Sequence, residues 1–211
     1  IFSAFFAQET SKDKVKAKKI LIKRALDITA DAGQVIIHIK EGKDLEDFKL
    51  IYGTPCKVML ARKERSFAEA FARTNLPARL EYKYDGFRLQ IHKSGNEVHL
   101  FTRSLENVTT QFPDAVKAVR EQVTVDKVIL DSEAVGYDAI SGKYQAFQHI
   151  SKRIRRKYDI EGLAKELPVE INIFDIIKLG DEEFLDKPFT QRLEILQSVV
   201  EEKELVVRLA Q

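Results

Sequence analysis

Between Leu80 and Thr102 apolar and polar side chains alternate with a period of two, and two turn signals interrupt the alternation. Leu80, Tyr82 and Tyr84 interleave with Glu81, Lys83 and Asp85. After Asp85-Gly86 the parity changes, and Phe87, Leu89 and Ile91 interleave with Arg88, Gln90 and His92 before Ser94-Gly95-Asn96 turns the chain toward Val98 and Leu100. A helix would need a period of about 3.6, so this stretch predicts a meander of short antiparallel strands with one packed and one polar face. Lys83 then shares the polar face with two carboxylates, and the parity change predicts that Arg88 is brought back toward Lys83.

The rest of the chain mixes both periods. Pro113 suits the first turn of a helix carrying Val116, Val119 and Val123, and Val128-Ile129-Leu130 leads into a buried strand ending near Glu133. A helix is predicted over Gln145 to Lys157, a strand over Val169 to Leu179, a helix after Pro188 carrying Leu193, Leu196 and Val200, and a strand over Leu205 to Leu209. Ser11 to Leu50 is lysine-rich and helical in pattern, with Ile20, Leu21, Ala25 and Leu26 as its apolar stripe. Gly53-Thr54-Pro55 is the candidate linker, giving an expected division into residues 1–54 and 55–211. The apolar run Ile1 to Ala7 lacks a basic lead-in, so it reads as part of a helix from something longer rather than a signal peptide; both ends read as truncated. Together these elements predict an α+β fold, antiparallel β-sheets flanked by helices, preceded by a short helical remnant of a second domain.

Composition excludes several classes. The chain has 35 basic and 33 acidic residues and a net charge of +2, so global charge makes no case for a polyanion partner and any basic signal must be local. The densest local signal is Lys152-Arg153-Ile154-Arg155-Arg156-Lys157, which reads either as a solvated helix face or as a set of DNA-phosphate contacts. The single cysteine, Cys56, allows no internal disulfide and fits a reducing compartment. No apolar run approaches the roughly 18 residues that span a membrane, so no membrane association is expected. His38, His92, His99 and His149 lack metal-ligand spacing, and no zinc site is predicted.

The run Glu81-Tyr82-Lys83-Tyr84-Asp85-Gly86-Phe87-Arg88 contains Lys-x-Asp-Gly-x-Arg, and three further stretches follow it: Phe101-Thr102-Arg103-Ser104, Asp131-Ser132-Glu133-Ala134-Val135 and Ile173-Phe174-Asp175-Ile176-Ile177. In that order they resemble the motifs of the covalent nucleotidyltransferases, the superfamily of DNA ligases, RNA ligases and capping enzymes. The connecting text, notably Pro55 to Leu60, Gln111-Phe112-Pro113-Asp114 and Phe147-Gln148 before the basic run, resembles ATP-dependent DNA ligases of the archaeal and eukaryotic replicative type. The resemblance covers nearly the whole chain. A second carboxylate motif, a Lys-x-Lys motif and an OB-fold domain that the family carries further on are not found before Gln211.

The resemblance implies that residues 1–54 are the end of a helical DNA-binding domain and 55–211 the first part of the adenylation domain. It implies that Lys83 attacks the α-phosphorus of ATP, stores AMP as a phosphoramidate and passes it to a DNA 5′-phosphate, so that a 3′-hydroxyl can seal the nick. An amine of the lysine type is almost wholly protonated in neutral water, so the site has to favour the free amine: nearby cations and desolvation do so, whereas carboxylates such as Glu81 and Asp85 oppose it. By resemblance Glu81 meets the adenine edge, Phe174 stacks on the base, Arg88 and Arg103 reach ribose and phosphate, and Glu133 takes a ribose hydroxyl or helps hold Mg²⁺. The implied partners are ATP, Mg²⁺ and nicked double-stranded DNA, with a sliding clamp as a further candidate, for a monomer that is cytoplasmic in an archaeal-type cell or nuclear in a eukaryote. Competing readings are an RNA ligase or capping-type enzyme, and a nucleic-acid-binding module without catalysis.

Overall fold

The computed structural model describes residues 11–74 and 77–211, so the helix expected over Ile1 to Ala7 lies outside the described residues. The chain divides into two compact units, Ile1–Val58 and Met59–Gln211.

In the first unit, α1 (Lys12–Thr29) and α2 (Ala32–Lys40) pack around Ile22, Ala25 and Val35, with Leu26, Ile39, Leu45 and Phe48 against them. Ser11 caps α1, and the Asp31 carboxylate caps α2 by accepting from the Gly33 N–H at 2.8 Å. Of the expected stripe, Ala25 is buried and Leu26 packs against the core, but Ile20 is 60% exposed and Ile22 and Ile28 are buried instead. The i, i+3, i+6 run of Ile22, Ala25 and Ile28 turns toward α2 and carries Ile20 away from it.

The second unit holds one six-stranded sheet. Its strands are β1 (Phe87–Ser94), β2 (Glu97–Thr102), β3 (Lys127–Gly136), β4 (Val169–Leu179), β5 (Glu182–Glu183) and β6 (Val207–Leu209), in the order β2-β1-β3-β4-β5 with β6 also on β4. All pairings are antiparallel except β4 with β6. The helices are α3 (Phe67–Thr74), α4 (Pro113–Gln122), α5 (Phe147–Ile154), α6 (Ile160–Glu166) and α7 (Phe189–Val199). The expected α+β arrangement, an antiparallel sheet with helices, is what is found. Leu89, Ile91, Leu130, Ala134, Ile171 and Ile173 supply one apolar face, on which Val119 of α4, Ile150 of α5 and Leu196 of α7 pack. The β1–β2 hairpin turns at Gly95, whose φ of +59° suits glycine.

Two expectations need correction. Leu80 to Tyr84 is not a strand; it is extended, and among the described residues its one backbone bond to another segment is from the Tyr82 N–H to the Gln211 carbonyl at 2.6 Å. A strand needs a ladder, and one bond does not make one. Leu80 and Tyr82, predicted to face a packed side, are 73% and 75% exposed. The helix expected to reach Lys157 stops at Ile154, so Arg155, Arg156 and Lys157 lie beyond it.

Candidate functional site

The opposite face of the sheet is polar. Register places Arg88 of β1 across from Glu133 of β3, Glu133 across from Asn172 of β4, and Asn172 across from Arg208 of β6, so the four share one face in a row. Two places further along, Gln90, Asp131 and Asp175 form a second row. Between Asp131↔Asp175 and Ser132↔Ile173 the register shifts, which leaves Phe174 as the extra residue of a β-bulge on β4. A bulge re-aims the side chain it carries. Phe174 is accordingly half-buried on a strand whose neighbours Ile173 and Ile176 are sealed.

Arg88 is held by Asp131 in a two-pronged ion pair, Nε to Oδ1 at 2.9 Å and Nη2 to Oδ2 at 2.5 Å, and its Nη1 donates to the Met59 carbonyl at 2.8 Å. The guanidinium carbon lies 5.4 Å from the centre of the Phe174 ring. Burial pushes the Asp131 carboxyl up, and the guanidinium pulls against that push. Asp175 is paired in the same way with Arg192 of α7, at 2.7 and 3.0 Å. Burial also pushes up the Glu133 carboxyl, while the positive charges of Lys83 and Arg88 and a bond from the Gly86 N–H hold it down.

Lys83 stands on the extended stretch just before β1, and its Nζ donates to the neighbouring Tyr84 carbonyl at 3.2 Å. The carboxylates expected beside it are engaged elsewhere. Glu81 pairs with Arg79 at 3.1 Å, and Asp85 accepts from the Phe147 N–H at the start of α5 at 3.3 Å. Alternation implied a shared face, but without a ladder the stretch follows its own local contacts. The carboxylate within electrostatic reach of Lys83 is Glu133. Glu81 is pushed up by burial, against Arg79, and feels the charge of Asp175.

Gly86 is required by space rather than by dihedral angle. A Cβ built there would stand 2.2 Å from the Ala134 carbonyl oxygen and 3.1 Å from Cγ of Glu133. The glycine thus lets the lysine loop lie directly on β3. Beside that loop is a cavity of about 550 Å³ whose lining includes Tyr82, Lys83, Tyr144, Asn172 and Arg208. Asn172 is 1% exposed, and its Nδ2 has no hydrogen-bond partner among the described residues.

Lys83, Glu133, Arg88 and Phe174 are therefore linked by contacts or by charge, whereas Glu81 is paired with Arg79 and reaches the group through the charge of Asp175 alone. Arg103 is linked to none of them: it is exposed in the turn after β2, without a hydrogen bond or ion pair among the described residues. Sequence reasoning gave no role to Asp131, Asp175, Arg192 or Asn172. Asp131 had a usable signal, lying two residues from Glu133 and so on the same strand face. Arg192 had none, because its partner is on another element.

A family model described as the ATP dependent DNA ligase domain matches residues 58–211. The chain belongs to that ATP-dependent DNA ligase family. It is 48% identical over 191 residues to a DNA ligase of Nanoarchaeum equitans, covering 90% of this chain and 34% of the relative. To DNA ligase 2 of Methanosarcina acetivorans it is 42% identical over 182 residues, covering 85% of this chain and 32% of that one. The chain thus spans about a third of the length of these relatives. A solved mycobacterial DNA ligase D, complexed with ATP and MES, is 26% identical with a TM-score of 0.44, covering 62% of this chain and 39% of that chain.

In this ligase-family chain the metal-binding capacity of the polar face is limited. Asp131 and Asp175 are taken up by Arg88 and Arg192, and no cluster of three His, Cys, Asp or Glu side chains suited to a metal occurs among the described residues. Glu133 remains as one carboxylate, which fits Mg²⁺ as a single ligand beside nucleotide phosphates and water. No helix among the described residues is long and apolar enough to cross a membrane.

Proposed function

We propose that this chain carries the nucleotide-charging step of an ATP-dependent DNA ligase, with Lys83 as the residue that takes AMP. The observation that carries this reading is the contrast among cations: Arg88 and Arg192 are each locked to an aspartate, whereas among the described residues the Lys83 amine bonds only a neighbouring carbonyl and lies within electrostatic reach of Glu133. A nucleophile has to be uncommitted; a scaffold cation does not. The amine nitrogen bonds to the α-phosphorus of ATP, the bond to pyrophosphate breaks, and the nitrogen gives up its proton. AMP then passes to the 5′-phosphate at a nick in double-stranded DNA, and the 3′-hydroxyl displaces it.

Phe174, aimed by its bulge and backed by Arg88, serves as the stacking surface for the base, and Glu81 meets the adenine edge. Arg88, pinned by Asp131, acts at the ribose, with Glu133 accepting from a ribose hydroxyl or supplying one ligand to Mg²⁺. When bound, that ion neutralises charge on the phosphates. Arg103, unpaired and exposed, is assigned to phosphate. Residues 1–54 are read as the end of a DNA-binding domain. In the basic run, Lys152, Arg155, Arg156 and Lys157 remain exposed for DNA phosphates, whereas Arg153 is buried.

The test is to incubate the full-length protein separately with α-labelled ATP and α-labelled GTP and recover a covalent, hydroxylamine-sensitive adduct. Labelling by ATP supports the reading. Labelling by GTP alone points to capping chemistry, and no labelling by either points to a binding module.

A further inference from the structure

The cavity beside the lysine loop collects hydrogen-bond donors that the domain itself does not use. Lys83 of the loop, Asn172 of β4 and Arg208 of β6 all line it. Among the described residues the Lys83 amine bonds only the Tyr84 carbonyl, and the half-buried Arg208 side chain has neither a hydrogen bond nor an ion pair. Asn172 is the sharpest case. Its Nδ2 is sealed from solvent without a partner, a costly state that folded proteins rarely leave uncorrected. The Tyr144 hydroxyl stands close enough to feel the Asn172 amide, yet no hydrogen bond joins the two, and the hydroxyl itself donates to Glu170. Carboxylates at and behind the walls are already engaged: Asp85 accepts from the Phe147 N–H, and Glu170 from the Tyr144 hydroxyl and the Leu205 N–H. Two positive charges and a buried N–H thus meet at one cavity with no uncommitted carboxylate on its lining among the described residues. That set is the complement of a multivalent anion.

Register says where such an anion lies. Asn172 is one strand and Arg208 two strands beyond Glu133 in the same row, about 5 and 10 Å away at the usual strand spacing, with Arg88 on the other side of Glu133. Lys83 joins the two ends, being within electrostatic reach of Glu133 and on the lining of the cavity. With the ribose at Arg88 and Glu133, a phosphate chain that continues along the row passes the amine and ends between Asn172 and Arg208. A volume of about 550 Å³ is of the usual size for a small-ligand site.

We infer that the cavity between Lys83, Asn172 and Arg208 is a pyrophosphate subsite, which holds the β- and γ-phosphates of ATP during attack and the pyrophosphate once it has left. The identity of the anion rests on the nucleotide-charging function proposed above; the anion site itself rests on the unused donors.

The reverse reaction isolates the subsite, because pyrophosphate is then the substrate. One of its oxygens bonds to the α-phosphorus of the AMP adduct, the bond to the Lys83 nitrogen breaks, and the amine takes back a proton as ATP leaves. In the full-length protein, Asn172→Leu and Arg208→Gln should each raise the KM for inorganic pyrophosphate by about tenfold or more, with kcat within about threefold of wild type. The KM for nicked DNA, measured by AMP transfer from the same preformed adduct, should stay within about threefold, and Arg208→Lys, which keeps the charge, should lose less than Arg208→Gln. Calorimetric titration of inorganic pyrophosphate into adduct-free protein should show the same weakening without any turnover. Unchanged pyrophosphate affinity in Arg208→Gln, which removes no internal bond seen among the described residues, overturns the subsite even where Asn172→Leu fails to fold. A larger loss for the nick than for pyrophosphate also overturns it and makes the anion the 5′-phosphate of DNA. Calorimetric binding that weakens in the variants supports the anion site even if wild-type protein forms no adduct, a result that would strike the ligase reading instead.

Discussion

Arg88 and Arg153 make nearly the same contacts and sit in very different places. Each is gripped by an aspartate through two prongs, and each lies against a phenylalanine ring, Arg88 at 5.4 Å from Phe174 and Arg153 at 4.3 Å from Phe112. Arg153 is 1% exposed and donates further to the Leu167 and Gln111 carbonyls, so its charge is spent inside the domain, pinning α5 to α4. Arg88 keeps one side open: its side chain is 21% exposed, its aromatic neighbour stands on a bulge, and Glu133 lies across from it in the ladder. The same guanidinium–carboxylate–aromatic unit is a fastener where it is sealed and, in the function proposed above, a piece of the site where one face is left free. Local charge density in the sequence does not distinguish the two; burial does.

The comparison breaks first at Arg88. Arg88→Ala should lower the rate of AMP-adduct formation at saturating ATP by about a hundredfold or more, the scale seen when a fixed electrostatic contact is removed from a reacting site. It should also destabilise the domain by about 3 kcal/mol, because it strands the buried Asp131. Gly86→Ala comes next. Its Cβ would meet the Ala134 backbone carbonyl, which has no flexible side chain to move aside, so the lysine loop has to lift off β3. Overpacking of this kind costs about 1–3 kcal/mol, and stopped-flow adduct formation should slow by about tenfold.

Arg153→Met should match Arg88→Ala in stability and differ from it in rate. Denaturant unfolding should register a loss of about 3 kcal/mol, while the adduct rate at a temperature where the variant is folded stays within about threefold of wild type. If Arg153→Met slowed the adduct as much as Arg88→Ala, the division between fastener and site would be wrong.

The smallest effect sharpens the contrast along the polar face itself. His92 is 1% exposed, bonded to Gln90 at 2.9 Å, and burial pulls its pKa down to about 4 from the usual 6.5. The unfolded chain therefore binds a proton here at a higher pH than the folded one. The stabilisation is fully present above pH 6.5 and is lost as pH falls from there to about 4, by an amount on the order of 3 kcal/mol. His92→Gln should flatten the stability–pH curve in that window and leave the adduct rate at pH 7.5 unchanged.

Much of this was legible in the residues. Period two marked β1 and β2, and Pro113 and Pro188 marked the starts of α4 and α7, because those signals act over a few neighbouring residues. The ordered motifs also put Lys83, Arg88, Glu133 and Phe174 among the candidate site residues. The losses are long-range. Leu80 to Tyr84 had the alternation of a strand without a second strand to bond. Arg153 looked like part of a solvated basic face because its partners Asp114, Gln111 and Leu167 come from other elements. The bulge at Phe174 comes from register between β3 and β4, which no residue type announces.

The central claim is that Lys83 accepts AMP. Incubation of the full-length protein with ATP and Mg²⁺, followed by peptide mapping under conditions that preserve a phosphoramidate, tests it most directly. The account predicts an AMP-sized mass gain on the peptide carrying Lys83, absent in Lys83→Ala although that variant remains as stable as wild type. A gain on another peptide, or one that persists in Lys83→Ala, would contradict it.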